Sequence, residues 1–279
     1  MIRGEHQSKG GSSPIIRFIL GFFVMIGALM FLGCPIRMIL RLGGGDLNAL
    51  FGIAGFAGGI GFGTIFLKKG YSLQRTYTLS KLESAMMPAI QVGLLVLVVA
   101  APAFIFFSQK GPGAMHAPWL ISLAAGLVVG GLSQVSRLCT VGGFRDLFLF
   151  KKSILIFGYL AVLIGVFVVN VSFGNFHLGF ENQPIAHTDG LWNFLGMALA
   201  GFCSVLLGGC PLRQLIMTGE GNSDSAVTVL GLAAGAAFAH NFGLAASGAG
   251  PTLNGEIAVG VGFVVALIIA VVNTKRANA

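Results

Sequence analysis

Apolar residues in this chain come in runs far longer than a strand or a surface helix needs. Eight stretches, 18–33, 49–67, 86–107, 119–135, 154–172, 192–207, 227–246 and 256–272, are almost free of charge. The hydrocarbon core of a bilayer is spanned by roughly 20 helical residues. The pattern therefore predicts about eight (8–9) transmembrane helices. Only helices and closed barrels satisfy every backbone polar group in lipid, so the expected class is an all-α polytopic integral membrane protein. Residues 1–17 read as a polar cytoplasmic tail and 18–279 as a single transmembrane domain.

Composition sharpens this reading. Charged residues are 9% of the chain, hydrophobic residues 55%, and the mean hydropathy is +0.88, whereas a soluble domain carries about 25% charge. The 43 glycines cluster inside the apolar runs, as in 52–63. Small residues let helix backbones approach closely in lipid, and tight packing is the first reading of these glycines. A glycine-lined passage for a small solute is the second.

A net charge of +8 would suit nucleic acid, but the basic residues fall in alternate gaps between the runs. Arg3, Lys9 and Arg17 precede the first; Lys68, Lys69, Arg75 and Lys81 follow the second; Arg145, Lys151 and Lys152 follow the fourth; Lys275 and Arg276 close the chain. Lys110 stands alone in 108–118, and 173–190 and 247–255 have no Lys or Arg. Basic residues accumulate on the cytoplasmic side, so both termini are expected there after eight crossings. The expected surroundings are membrane lipid, with no nucleic-acid partner.

An internal repeat lies on this frame. Gly33-Cys34-Pro35-Ile36-Arg37 recurs 176 positions later as Gly209-Cys210-Pro211-Leu212-Arg213, and both copies run on to Gly-x-Gly, Gly43/Gly45 and Gly219/Gly221. Six of the thirteen positions from Gly33 to Gly45 are identical, more than chance readily supplies. The repeat regions are about 18–67 and 192–246. By the charge pattern, the span before Cys34 runs outward and the span before Cys210 runs inward, so the copies are expected to be inverted. Inverted repeats are a recurring plan of secondary transporters, with the substrate site near mid-membrane. Leu32-Gly33-Cys34 also vaguely resembles a lipidated-cysteine signal, but the mid-chain copy at Cys210 favours a shared structural role.

Proline after each cysteine and glycine at the far end predict short helices of about two turns. These are too short to cross a bilayer and must dip into it within protein. Each cysteine would then meet free N–H groups and the positive end of a helix dipole, a setting that favours thiolate and anions. A related central element, within 119–172, places Cys139 before Gly142-Gly143 and Arg145. Cys203, inside an apolar run, reads as packing. Without a Cys-x-x-Cys or paired histidines, neither a metal site nor another cofactor is expected. The nearest cysteine pair in sequence is Cys203 with Cys210.

Intramembrane charge is costly and usually paired. Plausible local pairs are Arg37 and Arg41 with Asp46, Arg145 with Asp146, and Arg213 with Glu220 or Asp224. Arg37 and Arg213 occupy matching places in the two copies and suit either attraction of an anion or bracing. His240-Asn241, polar near the end of a run, and His187, in an outer loop, suit structure or substrate contact.

These motifs, with Arg41 to Leu50, Ser136 to Asp146 and Gly208 to Asp224, resemble the YeeE/YedE family of sulfur-compound permeases. The nearest resemblance is to the branch associated with selenium metabolism, and it covers Gly21 to Val272. It implies pseudo-symmetric halves with short helices dipping in from both faces, in a bacterial inner membrane. It also implies that central cysteines line a path and hand an anion along by weak S–H hydrogen bonds, as in the thiosulfate importers. Carried onto this chain, the pathway comprises Cys34, Cys139 and Cys210, with Arg37, Arg213, Gly33, Gly209, His240 and Asn241 beside it. The expected substrate is a small inorganic sulfur or selenium anion. With no Gly-x-x-x-x-Gly-Lys-Ser/Thr motif in this chain, transport would be driven by a gradient or by a cytosolic sulfur- or selenium-carrier protein that consumes the solute. A transporter rather than an enzyme is expected. The alternative is a membrane thiol-disulfide or sulfur-transfer protein using cysteine persulfide.

Overall fold

The computed structural model describes residues 9–73, 76–100, 117–152 and 154–277. Arg3, Arg75, the end of the third apolar run (101–107) and Lys110 lie outside them. In chain order the helices are α1 (Pro14–Phe31), α2 (Pro35–Gly43), α3 (Asn48–Lys68), α4 (Lys81–Ala100), α5 (Trp119–Ser136) and α6 (Thr140–Phe150). They continue with α7 (Ile154–Ser172), α8 (Gly190–Leu207), α9 (Pro211–Gly219), α10 (Ser223–Asn241) and α11 (Leu253–Ala277). Two residue pairs, β1 (Lys9–Gly10) and β2 (Tyr77–Thr78), form a small antiparallel ladder.

The chain is an all-α multi-pass membrane protein. Among the described residues, seven helical stretches are long and apolar enough to cross a membrane: α1 continuing into α2, α3, α4, α5 continuing into α6, α7, α8 continuing into α9, and α11. The eighth long helix, α10, has 19 residues but carries Asp224 in its first turn and His240 in its last. Polar ends shorten its apolar stretch, and that is where the structure departs from the eight runs. Pro14, whose fixed φ suits a first helical turn, starts α1 and draws Arg17 into it.

Short helices form where proline and glycine placed them. Pro35 and Pro211 occupy the first turns of α2 and α9. Gly45 (φ 101) and Gly221 (φ 87) follow the last turns in the left-handed region, which costs a side chain about 1–2 kcal/mol. The hydrogen bonds there are duplicated: Asp46 N–H donates to Arg41 O and Asn222 N–H to Met217 O, both at 3.0 Å.

Packing shows that the repeat extends well beyond the cysteine motif. A Cβ at Gly55 or Gly59 of α3 would overlap the carbonyl oxygens of Phe194 or Ala198 on α8. A Cβ at Gly231 or Gly235 of α10 would overlap those of Phe18 or Phe22 on α1. The second set is the first shifted by 176 positions and reflected between the copies. Both helix pairs run parallel. In contrast, α1 and α8 are antiparallel: Arg17, at the start of α1, shares a cavity with Leu206 and Leu207 at the end of α8. At the other end of α1, Met30 O accepts from His187, just before α8. The copies are therefore inverted, related by a pseudo-twofold axis at the α1–α8 contact. Backbone-to-backbone approach through glycine supplies the van der Waals contact that holds helices together in lipid.

Helices α1, α3, α8 and α10 form the centre, with α8 buried along most of its length, while α4, α5 and α7 leave their apolar side chains largely exposed. Each copy also covers the other. The segment before α8 lies on the α2–α3 junction, where His177 N–H donates to Gly44 O (2.9 Å) and Leu47 N–H to Gly179 O (3.0 Å). The segment before α1 lies on the start of α10, where Ser12 N–H donates to Asp224 Oδ1 at 3.0 Å.

Candidate functional site: three thiols at three helix starts

Cys34, Cys139 and Cys210 are the residues immediately before α2, α6 and α9. Each backbone carbonyl accepts the first helical N–H, from Met38, Gly143 and Gln214, at 3.0 Å. Each thiol is thereby held at the end of a helix where N–H groups have no intrahelical partner and the dipole is positive. At Cys139 the geometry is closed, with Gly142 N–H donating to Sγ at 3.3 Å. At Cys210 the backbone amides of Thr140 and Arg213 face the sulfur.

The three helix starts converge. Cys139 and Cys210, 71 positions apart in sequence, lie close together in one buried hydrophobic cluster. Tyr159 of α7 belongs to the same cluster and lies near both Cys210 and Cys34, and its ring packs edge-on against Phe144 of α6 at 5.8 Å. Phe144 in turn stacks edge-on against Phe56 of α3 at 6.0 Å. Cys139 is 8% exposed and Cys210 1%, whereas Cys34 is half-buried. The nearest pair in sequence was Cys203 with Cys210, but the structure pairs Cys210 with Cys139. Cys203 is fully buried in the other hydrophobic cluster with Leu20, Val24 and Leu206.

Several polar atoms around the thiols have no partner. Thr140 Oγ1 and Tyr159 Oη are buried and make no well-formed hydrogen bond, although Thr140 lies beside Cys210. Gln214 Oε1, one turn into α9, is also unpartnered. Unsatisfied buried polar groups cost free energy, so a cluster of them around thiols is suited to receive a polar solute. Sequence reasoning missed Tyr159 and Gln214. The available signals were a tyrosine inside an apolar run and a glutamine where copy one has Met38.

The two motif arginines are placed differently. Arg37 folds back over Gly33, against which its side chain packs, and its buried Nε has no partner. Arg213 donates to Gln134 Oε1 of α5 at 3.0 Å and pairs with Glu220 at 3.9 Å. Gly209 leaves room beside it for the Gln214 amide and the Arg213 stem. Asp46 pairs with Arg41 at 2.6 Å and not with Arg37, and Asp224 goes to Arg17 at 3.5 Å and not to Arg213. Arg145 pairs with Asp146 at 2.8 Å. His240 and Asn241 lie exposed on the last turn of α10, where the Asn241 amide donates to Ala237 O at 2.7 Å.

All four cysteines are free thiols. Among the described residues, no three His, Cys, Asp or Glu side chains are grouped closely enough to hold a metal ion. The arrangement offers weak S–H donors, backbone amides and a tyrosine hydroxyl. Such groups hold a polarizable anion loosely enough to release it.

A family model described as sulphur transport matches residues 135–275, about half of the chain, from the end of α5 through α11. It takes in Cys139, Cys203 and Cys210. No curated protein matches.

Proposed function

The chain belongs to the YeeE/YedE sulphur-transport family, and from that premise we propose that it is a permease passing a small sulfur or selenium oxyanion between Cys34, Cys210 and Cys139. The convergence of three thiols, each at the start of a separate short helix, is the observation that carries the reading. Cys34, the most accessible thiol, receives the anion on the side of the 173–189 loop. Tyr159 lies beside it and beside Cys210, and Cys139 takes the next position. At each step the anion exchanges one weak S–H or N–H donor for another, which keeps every binding step shallow. Arg37, with a free Nε, raises the local anion concentration. With the basic gaps on the cytoplasmic side, both termini are cytoplasmic in an inner membrane and the path runs inward, drained by a gradient or by a cytosolic carrier protein.

The test is uptake of labelled thiosulfate and selenite into proteoliposomes by the wild type and by Cys34→Ala, Cys139→Ala and Cys210→Ala. Saturable flux of one anion, lost in the variants, names the substrate. Absence of flux for both from folded protein overturns the reading.

The Cys139–Cys210 contact favours one second reading, sulfur transfer. A thiolate at Cys210 would attack the sulfane sulfur of thiosulfate, the S–S bond to the sulfonate would break, and sulfite would leave with the electron pair, giving a cysteine persulfide. Mass spectrometry of the protein after exposure to thiosulfate separates the two readings. A stable mass gain of one sulfur on Cys210 supports transfer, and an unmodified protein that sustains flux supports permeation.

A further inference from the structure

At the end of the molecule that carries the N-terminal segment, a cavity of about 530 Å³ is lined by Ser12, Arg17, Tyr71, Ser72, Thr76 and Arg145, together with apolar side chains of α3 and α8. Three features set it apart from a surface dimple. Among the described residues lining it, the ionisable side chains are two arginines and a tyrosine, with no acid. The acidic partners of the arginines, Asp224 at 3.5 Å and Asp146 at 2.8 Å, are not among the lining residues, and Arg17 is held at the cavity by donating to Ser12 O at 2.8 Å and Ser12 Oγ at 3.2 Å. Tyr71 is 7% exposed, and its hydroxyl has no hydrogen-bond partner. Burial pushes its phenol pKa up while Arg17 pulls it down. On balance it is raised, so Tyr71 remains a neutral donor at every pH the protein meets.

The cavity also adjoins the thiols. Gly208, in its wall, is two residues from Cys210, and Arg145 lies on α6, whose first residue follows Cys139. Six residues of helix are roughly 9 Å at 1.5 Å per residue.

We infer that this cavity is a second anion site, independent of the thiols, which holds a hydrated oxyanion between Arg17, Arg145 and Tyr71 after it leaves Cys139 and Cys210 or before it reaches them. The donor set is rich in guanidinium and hydroxyl N–H and O–H groups, the complement of an oxyanion. The volume exceeds that of one bare tetrahedral oxyanion and leaves room for part of its water shell. The thiol cluster is too buried to keep that shell. The inference rests on the permease reading only for the identity of the anion.

The experiment is isothermal titration of thiosulfate into the detergent-purified full chain. The wild type is expected to bind two anions, and the Cys34→Ala/Cys139→Ala/Cys210→Ala variant one. Arg145→Gln and Tyr71→Phe, added to that thiol-free variant, are each expected to weaken the remaining site on the order of tenfold, the scale of one hydrogen bond to a charged group. Arg145 is partly exposed, so its replacement leaves packing intact. Should the thiol-free variant not fold, Arg145→Gln in the native background is expected to weaken one of the two sites on the order of tenfold and leave the other unchanged. Loss of all binding on removing the thiols, or affinity and stoichiometry unmoved by Arg145→Gln and Tyr71→Phe, overturns the inference. Failure of the permease reading shows differently, as absence of flux in proteoliposomes while this site still titrates.

Discussion

In the first copy of the repeat Cys34 is half-buried and Arg37 keeps a free Nε, whereas in the second Cys210 is 1% exposed and Arg213 is held by Gln134 and Glu220. The backbones nonetheless match, down to the left-handed residues two positions before each cysteine, Leu32 (φ 63) and Gly208 (φ 84). The junctions after the short helices differ in the same manner. Copy one carries a buried ion pair, Arg41–Asp46 at 2.6 Å, with the Arg41 guanidinium 4.0 Å from the centroid of the Phe31 ring. Copy two has neutral Met217 and Asn222 at the equivalent positions. The duplicated scaffold supplies two cysteine-bearing helix starts, and the divergence of the side chains gives the two ends different chemistry.

The sharpest way to break the comparison is to exchange function at the two cysteines. Cys210→Ala removes the buried thiol that shares a cluster with Cys139 and Tyr159, and transport is expected to disappear. Cys34→Ala leaves that inner pair intact, and a residue of flux, on the order of a tenth, is expected if one hydrogen bond is lost at the entry. Equal loss in both variants would mean that the thiols act as one unit. For stability the order of the copies reverses. Asp46→Ala strands the Arg41 charge inside the protein and is expected to cost about 3–5 kcal/mol. Asn222→Ala removes a cap, the Ser225 N–H to Asn222 Oδ1 bond of 2.9 Å, and is expected to cost about 1 kcal/mol. Unfolding in detergent, followed by tryptophan fluorescence, measures both.

Much of this was legible in the chain. Apolar runs mark the long helices because lipid offers no partner for backbone groups, and Cys-Pro followed by glycine marks the short ones. The inversion followed from basic residues in alternate gaps, and the antiparallel α1–α8 contact agrees with it. The spacing of 176 also relates Gly55 to Gly231 and Gly59 to Gly235, but what those glycines touch could not be read, because the contact is with carbonyls of another helix. The joining of Cys139 to Cys210 was hidden for the same reason. Nothing in the sequence near either cysteine encodes their encounter, which depends on how α6 and α9 are seated on the four central helices. Local reading of the charge pairs found Arg41–Asp46, Arg145–Asp146 and Arg213–Glu220, but not that Asp224 is taken by Arg17 across the pseudo-twofold axis.

The glycine contacts provide a test in which the copies should respond alike. Gly55→Val and Gly231→Val each push a β-branched side chain into a carbonyl of the facing helix, and overpacking of this kind costs about 1–3 kcal/mol. Matching losses of thermal midpoint support a common scaffold. A loss in only one copy would show that the contact carries weight on one side alone.

The smallest expected effect separates the copies again. His187 is 1% exposed, and its Nε2 lies 2.8 Å from Met30 O, to which it donates, while its Nδ1 has no partner. The equivalent position in the other copy is Gly11. Burial lowers the His187 pKa, with a smaller upward pull from the Met30 carbonyl. A base whose folded pKa is depressed binds its proton more readily in the unfolded chain. Its contribution is therefore complete above the unfolded value of about 6.5 and is lost as the pH falls below it. The unfolding midpoint is expected to drop as the pH falls below about 6.5 in the wild type, and to drop less in His187→Gln, whose amide keeps the bond to Met30 but does not titrate there. If the two profiles fall together, the acid sensitivity belongs to another group, and the 173–189 loop is held by its backbone bonds to Gly44, Gly45 and Leu47 rather than by the neutral imidazole.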